Sequence, residues 1–306
     1  MNPFSTASNG IQIPRLDRLA TLYLCHPLAQ LSRRSLALRI PILKYNSISE
    51  NLFGKIHPYS QINTTPAVFA TQMRWLRNTG YHTVGLTELL PTLESGTDLS
   101  KTIAITFDNG YMDFYAEAFP ILKQCGFTAT VFLATDRIQD SSSRIEGVDY
   151  LTWQKVRELN AGGITFGSHT VTHPDLRSLA PETIDYELTY SKEIIEEKVG
   201  APVSSFSYPF AFPEEDRNFT RFLADALTNI GYMNGVSSII GRAAVRSNPF
   251  FLPRLPVNSW DDEEFLRAKL EGGYDWVHGP QWLYKFVHHN ISPMQRPSLI
   301  KCETAK

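Results

Sequence analysis

Apolar runs of strand length alternate with amphipathic stretches of helical period along most of the chain. This alternation restricts the fold more than any other feature of the sequence. Ile40 to Tyr45 reads as a strand. Thr65-Pro66 then opens a helix, with threonine as the N-cap and proline in the first turn, where its missing N–H costs nothing. That helix carries Phe69, Met73 and Leu76 on one face and closes at Gly80. Further strands are expected over 101–107, 128–133, 164–168 and 203–208, with extended segments near 232–237 and 250–257. Between and after them, helices are expected over 113–125, 153–160, 181–199, 217–230 and 261–271. Strand, helix and strand in repeated succession imply right-handed crossovers and parallel pairing. A β/α barrel and a doubly wound open sheet both satisfy that rule. Polar strings end strands 101–107, 164–168 and 203–208, and convergence of several strand ends on one face is the barrel habit. An open sheet would carry a phosphate loop after its first strand, and neither GxGxxG nor a Walker string occurs.

At 306 residues and 42% hydrophobic composition, the chain can bury a proper core, which excludes global disorder. The reading divides it into an N-terminal extension over 1–37, helical in character, a barrel over 38–290, and a loosely ordered tail over 291–306. A formal net charge of -2 gives no electrostatic reason to expect nucleic acid as a partner. Cys25, Cys125 and Cys302 lie far apart and show neither a disulfide framework nor metal-type spacing, which suits a reducing compartment. The apolar stretch from Leu19 to Leu31 is broken by His26, Pro27 and Gln30, too short and polar to span a bilayer and poor as a signal peptide. With Arg15, Arg18, Arg33 and Arg34 around it, the stretch reads as a helix packed on the main domain or as one lying on a membrane surface. The location expected from this is cytoplasmic, with peripheral membrane contact through the extension as the alternative.

Two of the polar strings carry recognisable chemistry. Asp108-Asn109-Gly110 follows the run Ile103 to Phe107, and Ser168-His169-Thr170-Val171-Thr172-His173 follows Ile164 to Gly167. Histidines four apart share one face of a helix in zinc proteases. Here Pro174 disfavours helical angles at His173, and Thr170 stands where that motif has its glutamate. The pair therefore belongs on a loop leaving a strand. Asn-Gly alone is a common turn dipeptide, and an isolated HxxxH can arise from packing. Brought to one barrel face, two imidazoles and an oxygen ligand would hold a divalent ion, and Asp108 would take a proton from water. A third string, Phe206-Ser207-Tyr208-Pro209-Phe210, reads either as a rigid turn whose N–H donates to an oxyanion, walled by aromatic rings that suit sugars, or as an ordinary buried turn.

Together these strings resemble the polysaccharide deacetylase family, carbohydrate esterase family 4. The family's TFDDG motif reads Thr106-Phe107-Asp108-Asn109-Gly110, and its H(S/T)xxH motif reads His169-Thr170-Val171-Thr172-His173. Ala118-Phe119-Pro120-Ile121-Leu122, Ala129 to Leu133 and Tyr208-Pro209-Phe210 extend the likeness over roughly residues 38 to 275. The resemblance implies a distorted, NodB-like (β/α) barrel of about seven strands. It implies Asp108 as catalytic base and Asn109, His169 and His173 as metal ligands; Arg254 reads either as the substitute for the family's missing arginine, partnering Asp108, or as a surface arginine. Tyr208, Pro209 and Phe210 would line the substrate, with the Phe210 N–H as oxyanion donor. The implied cofactor is a divalent metal, zinc first, with cobalt, nickel and manganese as alternatives.

Three departures stand out. Asn109 replaces an aspartate, the first-strand string reads Leu43-Lys44-Tyr45-Asn46 without the family's histidine, and no arginine precedes Tyr208-Pro209. His278, His288 and His289 are candidates for the family's late general acid. The activity expected is hydrolysis of N-acetyl or O-acetyl groups from sugar residues of an exopolysaccharide or its precursor. Two rivals follow from the same residues: a weak or inactive homologue that binds glycan or a partner through the cleft, and a hydrolase of a non-sugar amide.

Overall fold

The computed structural model describes residues 15–31, 38–50, 63–142, 144–145 and 147–291, with side chains described to residue 287. The tail expected beyond residue 291, and the side chains of His288 and His289, lie outside the described residues.

Among the described residues, eight parallel strands form the main sheet, numbered here β1 (Ile42–Tyr45), β2 (His82–Thr83), β3 (Thr102–Phe107), β4 (Thr130–Leu133), β5 (Thr165–Ser168), β6 (Ser205–Ser207), β7 (Asn234–Ile240) and β8 (Leu252–Pro256). From β2 to β8 each pairs with its chain neighbour, and β1 closes the ring between β8 and β3, with Ile42 to Tyr45 in register with Ala104 to Phe107. The result is a closed seven-strand ring of β1 and β3 to β8, as the alternation and the strand-end strings predict. Strand β2 is the eighth. It pairs with the start of β3 while β4 pairs with its end, so the two share one edge, and the Thr128 N–H donates to Thr83 Oγ1 across the junction at 2.9 Å. This splayed edge is the barrel's distortion.

Alternation along each strand sorts its side chains. One set forms an apolar layer of Ile42, Ala104, Phe132, Val236 and Leu252, plugged from the amino-terminal end by Leu86, Leu89 and Leu93 of helix Leu86–Glu94. The other set, including Leu43, Ile105, Val131, Phe206 and Leu255, packs outward against helices Pro66–Asn78, Trp153–Ala161, Pro181–Val199 and Arg217–Ile230. Both strand faces are covered, so β3 is buried at every position. Gly167 on β5 has a steric reason: a Cβ there would stand 2.5 Å from the Phe132 ring and 2.8 Å from the Ser205 carbonyl oxygen.

The helix expected over 113–125 contains a π turn at Phe114–Ala118 before its α segment Phe119–Cys125. The cause is Pro120, which lacks an N–H and whose ring crowds the carbonyl four residues back. The N-terminal extension repeats the device, with a π turn at Thr21–Cys25 ahead of Pro27. This helical extension packs along helix Glu263–Leu270. Arg18 makes a two-pronged bond to Asp262 at 2.8 and 3.0 Å, His26 meets Glu271 at 2.7 Å, and the Trp276 indole donates to Thr21 at 3.0 Å. Its outer face leaves Leu19, Tyr23, Leu28 and Leu31 exposed. Among the described residues no helix is long and apolar enough to cross a membrane.

Candidate functional site

Above the apolar layer, the carboxyl ends of the strands turn polar. Lys44, Thr106, Ser207 and Arg254, each two residues on from an inward position or facing one across the ring, surround the carboxylate of Asp108. Asp108 is held where it is by its own N–H, which donates to the Tyr45 carbonyl at 3.2 Å and so continues the β1–β3 ladder by one bond. Asn109 and Gly110 then both take left-handed angles, φ 77° and 75°, and turn the chain away. A Cβ at Gly110 would meet the end of the Leu133 side chain at 2.7 Å, so both the angle and the space favour glycine there. The dipeptide is thus a turn, as its composition suggests, and the turn also presents the acid.

Arg254, 1% exposed, uses all five of its donors. Nη1 and Nη2 bond Asp108 Oδ1 and Oδ2 at 2.8 and 2.9 Å, and Nε donates to the Ser237 carbonyl at 3.0 Å. Nη1 and Nη2 also reach Thr106 Oγ1 at 3.3 Å and Ser207 Oγ at 3.1 Å. Ser207 Oγ donates to Asp108 Oδ1 at 3.1 Å, and Lys44 Nζ stands 3.2 Å from Oδ2. Burial pushes the Asp108 carboxyl upward, but Arg254, Lys44 and His169 overcome it and hold it well below the usual carboxylate range. Burial pulls Lys44 down, and the neighbouring Asp108 opposes that.

The two histidines leave β5 on a loop, as Pro174 predicts. His169 Nδ1 bonds the Ser207 carbonyl at 2.7 Å, which directs Nε2 away from β6. The rings of His169 and His173 meet edge to face at 4.8 Å, and that of Phe210 meets His173 at the same distance. Burial keeps His169 uncharged, its pKa pushed down to about 3, and lowers His173 as well. The loop between them is clamped by buried Glu187 of helix Pro181–Val199. Its Oε2 accepts from the N–H groups of Val171 and Thr172 at 2.7 and 3.0 Å, and its Oε1 from the Thr172 hydroxyl at 2.8 Å. Among the described residues, the non-glycine positions with left-handed backbone are Asn109, Thr170, His173 and Phe210. All four belong to this site. Such angles cost on the order of 1–3 kcal/mol each and persist where the surroundings impose them.

The structure therefore brings Asp108, Arg254, Asn109, His169, His173 and Phe210 to one face. Two placements differ from the sequence reading, and three residues join the site beyond it. Tyr208 does not line the cleft: it is 3% exposed and packs on Phe206, Phe212 and Phe251, because it shares the phase of Phe206, two residues before it, in the layer beneath the helices. His278 is bonded to Glu214 at 2.8 Å and touches none of these groups. Lys44, Ser207 and Glu187 act in the site without having been picked out. The signal for Lys44 was present, since a lysine between Leu43 and Tyr45 interrupts an apolar strand on its inward phase.

The residues present do not fit a zinc-type ion well. Three protein ligands complete a catalytic zinc site, commonly with a carboxylate or thiolate beside histidine. Among the described residues no three His, Cys, Asp or Glu side chains converge in that way. The imidazole pair offers half of such a site. The oxygen half is the neutral Asn109 amide, which has no hydrogen-bond partner among the described residues, and Lys44 adds a cation at the preceding Asp108.

A family model described as polysaccharide deacetylase matches residues 95–232. Bacillus subtilis YxkH, which carries the family's name, is 28% identical over 221 residues, 72% of each chain. The poly-beta-1,6-N-acetyl-D-glucosamine N-deacetylase of Staphylococcus aureus is 22% identical over 235 residues, 73% of this chain and 77% of that one. Among solved structures, the deacetylase PplD of Streptococcus pyogenes, in complex with acetate, superposes with TM-score 0.65 at 24% identity over 76% of this chain and 98% of that one. IcaB of Ammonifex degensii gives 0.61 at 20% identity, over 80% and 96%. With its closed parallel ring and the matched stretch that holds both Asp108 and the histidine loop, the chain is similar to the polysaccharide deacetylase family in sequence and in fold.

Proposed function

We propose that this chain hydrolyses N-acetyl groups on the sugar residues of a polysaccharide or oligosaccharide, at the face where Asp108, His169, His173 and Phe210 meet. The observation that carries the reading is the gathering of all four left-handed non-glycine residues around one carboxylate and two uncharged imidazoles. Asp108 removes a proton from the attacking water as the new C–O bond forms at the acetyl carbon. The C–N bond breaks, and the proton ends on the leaving amine, releasing acetate. Arg254 fixes the carboxylate plane with its two bonds. The Phe210 N–H makes no hydrogen bond among the described residues and is free to donate to the developing oxyanion. Its ring, 59% exposed, forms an apolar wall for a sugar face. The name of the Staphylococcus aureus relative makes a β-1,6-linked N-acetylglucosamine oligomer the first substrate to try.

The test is acetate release from such oligomers, with chitin oligomers alongside. Asp108→Ala is expected to lose at least roughly a hundredfold in rate, within the range that general bases contribute. Equal activity in that variant removes Asp108 from the base role. No acetate from any acetylated oligosaccharide overturns the hydrolase reading and leaves the cleft as a binding site.

A further inference from the structure

Lys44 is the one charged residue of β1, set among the fully buried Ile42, Leu43 and Tyr45. It lies on the inward phase above Ile42, and its Nζ stands 3.2 Å from Asp108 Oδ2. It is also close enough to act electrostatically on both His169 and His173. A cation thus lies against the carboxylate, on the face that carries the two imidazoles. Next in the chain after Asp108, Asn109 is neutral and makes no hydrogen bond among the described residues. The charges match in sum. A divalent ion with one ligating carboxylate brings a net single positive charge to an imidazole pair, and an ammonium with a neutral amide brings the same.

We propose that Lys44 is the resident cation of this site, standing in for a divalent metal ion, with Asn109 as its compensating partner. The inference rests on the reading of this face as the place where the acetyl group is held. Lys44 then serves as a fixed positive charge beside the acetyl oxygen as it becomes negative, and no bond to Lys44 forms or breaks. A divalent ion is kept out by repulsion from the ammonium and by the absence of an anionic third ligand. Neither substitution alone restores a metal site; the two together do.

The parent chain, Lys44→Met, Asn109→Asp, the double variant and Lys44→Arg are treated with EDTA and then titrated with zinc chloride by calorimetry. Metal retained after gel filtration is measured by mass spectrometry. The parent and Lys44→Arg are expected to retain no stoichiometric zinc. The double variant is expected to take up one equivalent, bound at least ~100-fold more tightly than by the parent. If the parent binds an equivalent of zinc that His169→Ala abolishes and Lys44→Met leaves unchanged, the proposal fails. Circular dichroism checks folding, and Lys44→Gln replaces Lys44→Met if the latter does not fold. Acetate release in EDTA is a separate readout. Release by the parent and Lys44→Arg but not by Lys44→Met supports the proposal, whereas loss of the parent's activity in EDTA, restored by zinc, overturns it. Absence of release in every variant, with or without zinc, overturns the deacetylase reading, and the binding titrations still decide the role of Lys44.

Discussion

Arg254→Met removes the guanidinium that holds Asp108 while leaving an apolar side chain of similar length in its place. In the parent, Asp108 is 2% exposed and accepts two bonds from Arg254, one from Ser207 and one from Lys44. The variant keeps only the last two around a buried carboxylate. Removing one partner of a buried pair costs about 3–5 kcal/mol, because the other charge stays buried. The surviving Lys44 contact at 3.2 Å places this case near the lower end, about 3 kcal/mol at neutral pH. The pH dependence has a definite sign. In the parent the Asp108 pKa is depressed, so its stabilisation is present above the ordinary aspartate value of about 3.9 and is lost as pH falls toward the folded pKa. In the variant burial raises the carboxyl, which protonates earlier on acidification. The gap between the two proteins is therefore widest at neutral pH and narrows toward pH ~4.5. Urea unfolding followed by circular dichroism at several pH values measures it. A loss below about 1 kcal/mol at neutral pH, or a gap that does not change with pH, refutes the buried-pair account.

Other sites give sharper steric and electrostatic expectations. Gly167→Ala forces a methyl group against the Phe132 ring and the Ser205 carbonyl, at 2.5 and 2.8 Å, and should cost about 1–3 kcal/mol in a thermal melt. Unchanged stability would mean that Phe132 does not fill the barrel at this layer. Burial pushes the Asp113 carboxyl up to about 6, against its bonds from Ser47 and the Ile48 N–H. The stability it contributes is therefore full below about pH 3.9 and lost as pH rises through 6. Asp113→Asn stays neutral, so relative to the parent it should gain roughly 2 kcal/mol between pH 4 and 8; a pH-independent difference in urea midpoints contradicts this. Glu187→Ala releases the Val171 and Thr172 N–H groups and should cost about 2–3 kcal/mol while loosening the histidine loop. Faster hydrogen exchange confined to residues 169–173 is the expected signature, and unchanged protection there speaks against the clamp.

Much of this architecture was legible from local pattern. Strand-length apolar runs alternating with capped helices specified parallel crossovers, and Pro174, with Thr170 in place of a glutamate, moved the histidine pair off a helix. Helix Leu86–Glu94 escaped because it is short and contains Pro91, and its stability comes from plugging the barrel rather than from propensity. The two-residue strand β2 has no periodicity to detect and exists through its pairing with Thr102 and Ile103. The π turns before Pro27 and Pro120 were foreseeable in cause but not in form.

For the site, the sequence by itself determined which chemical groups stand at strand exits, because chain order and residue type are enough for that: Asp108, Asn109, the histidines and the Phe210 turn. Only the tertiary structure decided which groups meet. Arg254 reaches Asp108 across 146 residues of sequence, while Tyr208, inside a matching string, turns into the core. The physical reason is that hydrophobic period reports a side chain's phase along its own strand, whereas ring closure sets which phases converge. Closure stacks Lys44 above Ile42 and beside Asp108. That placement turned an unremarked lysine into the cation of the site.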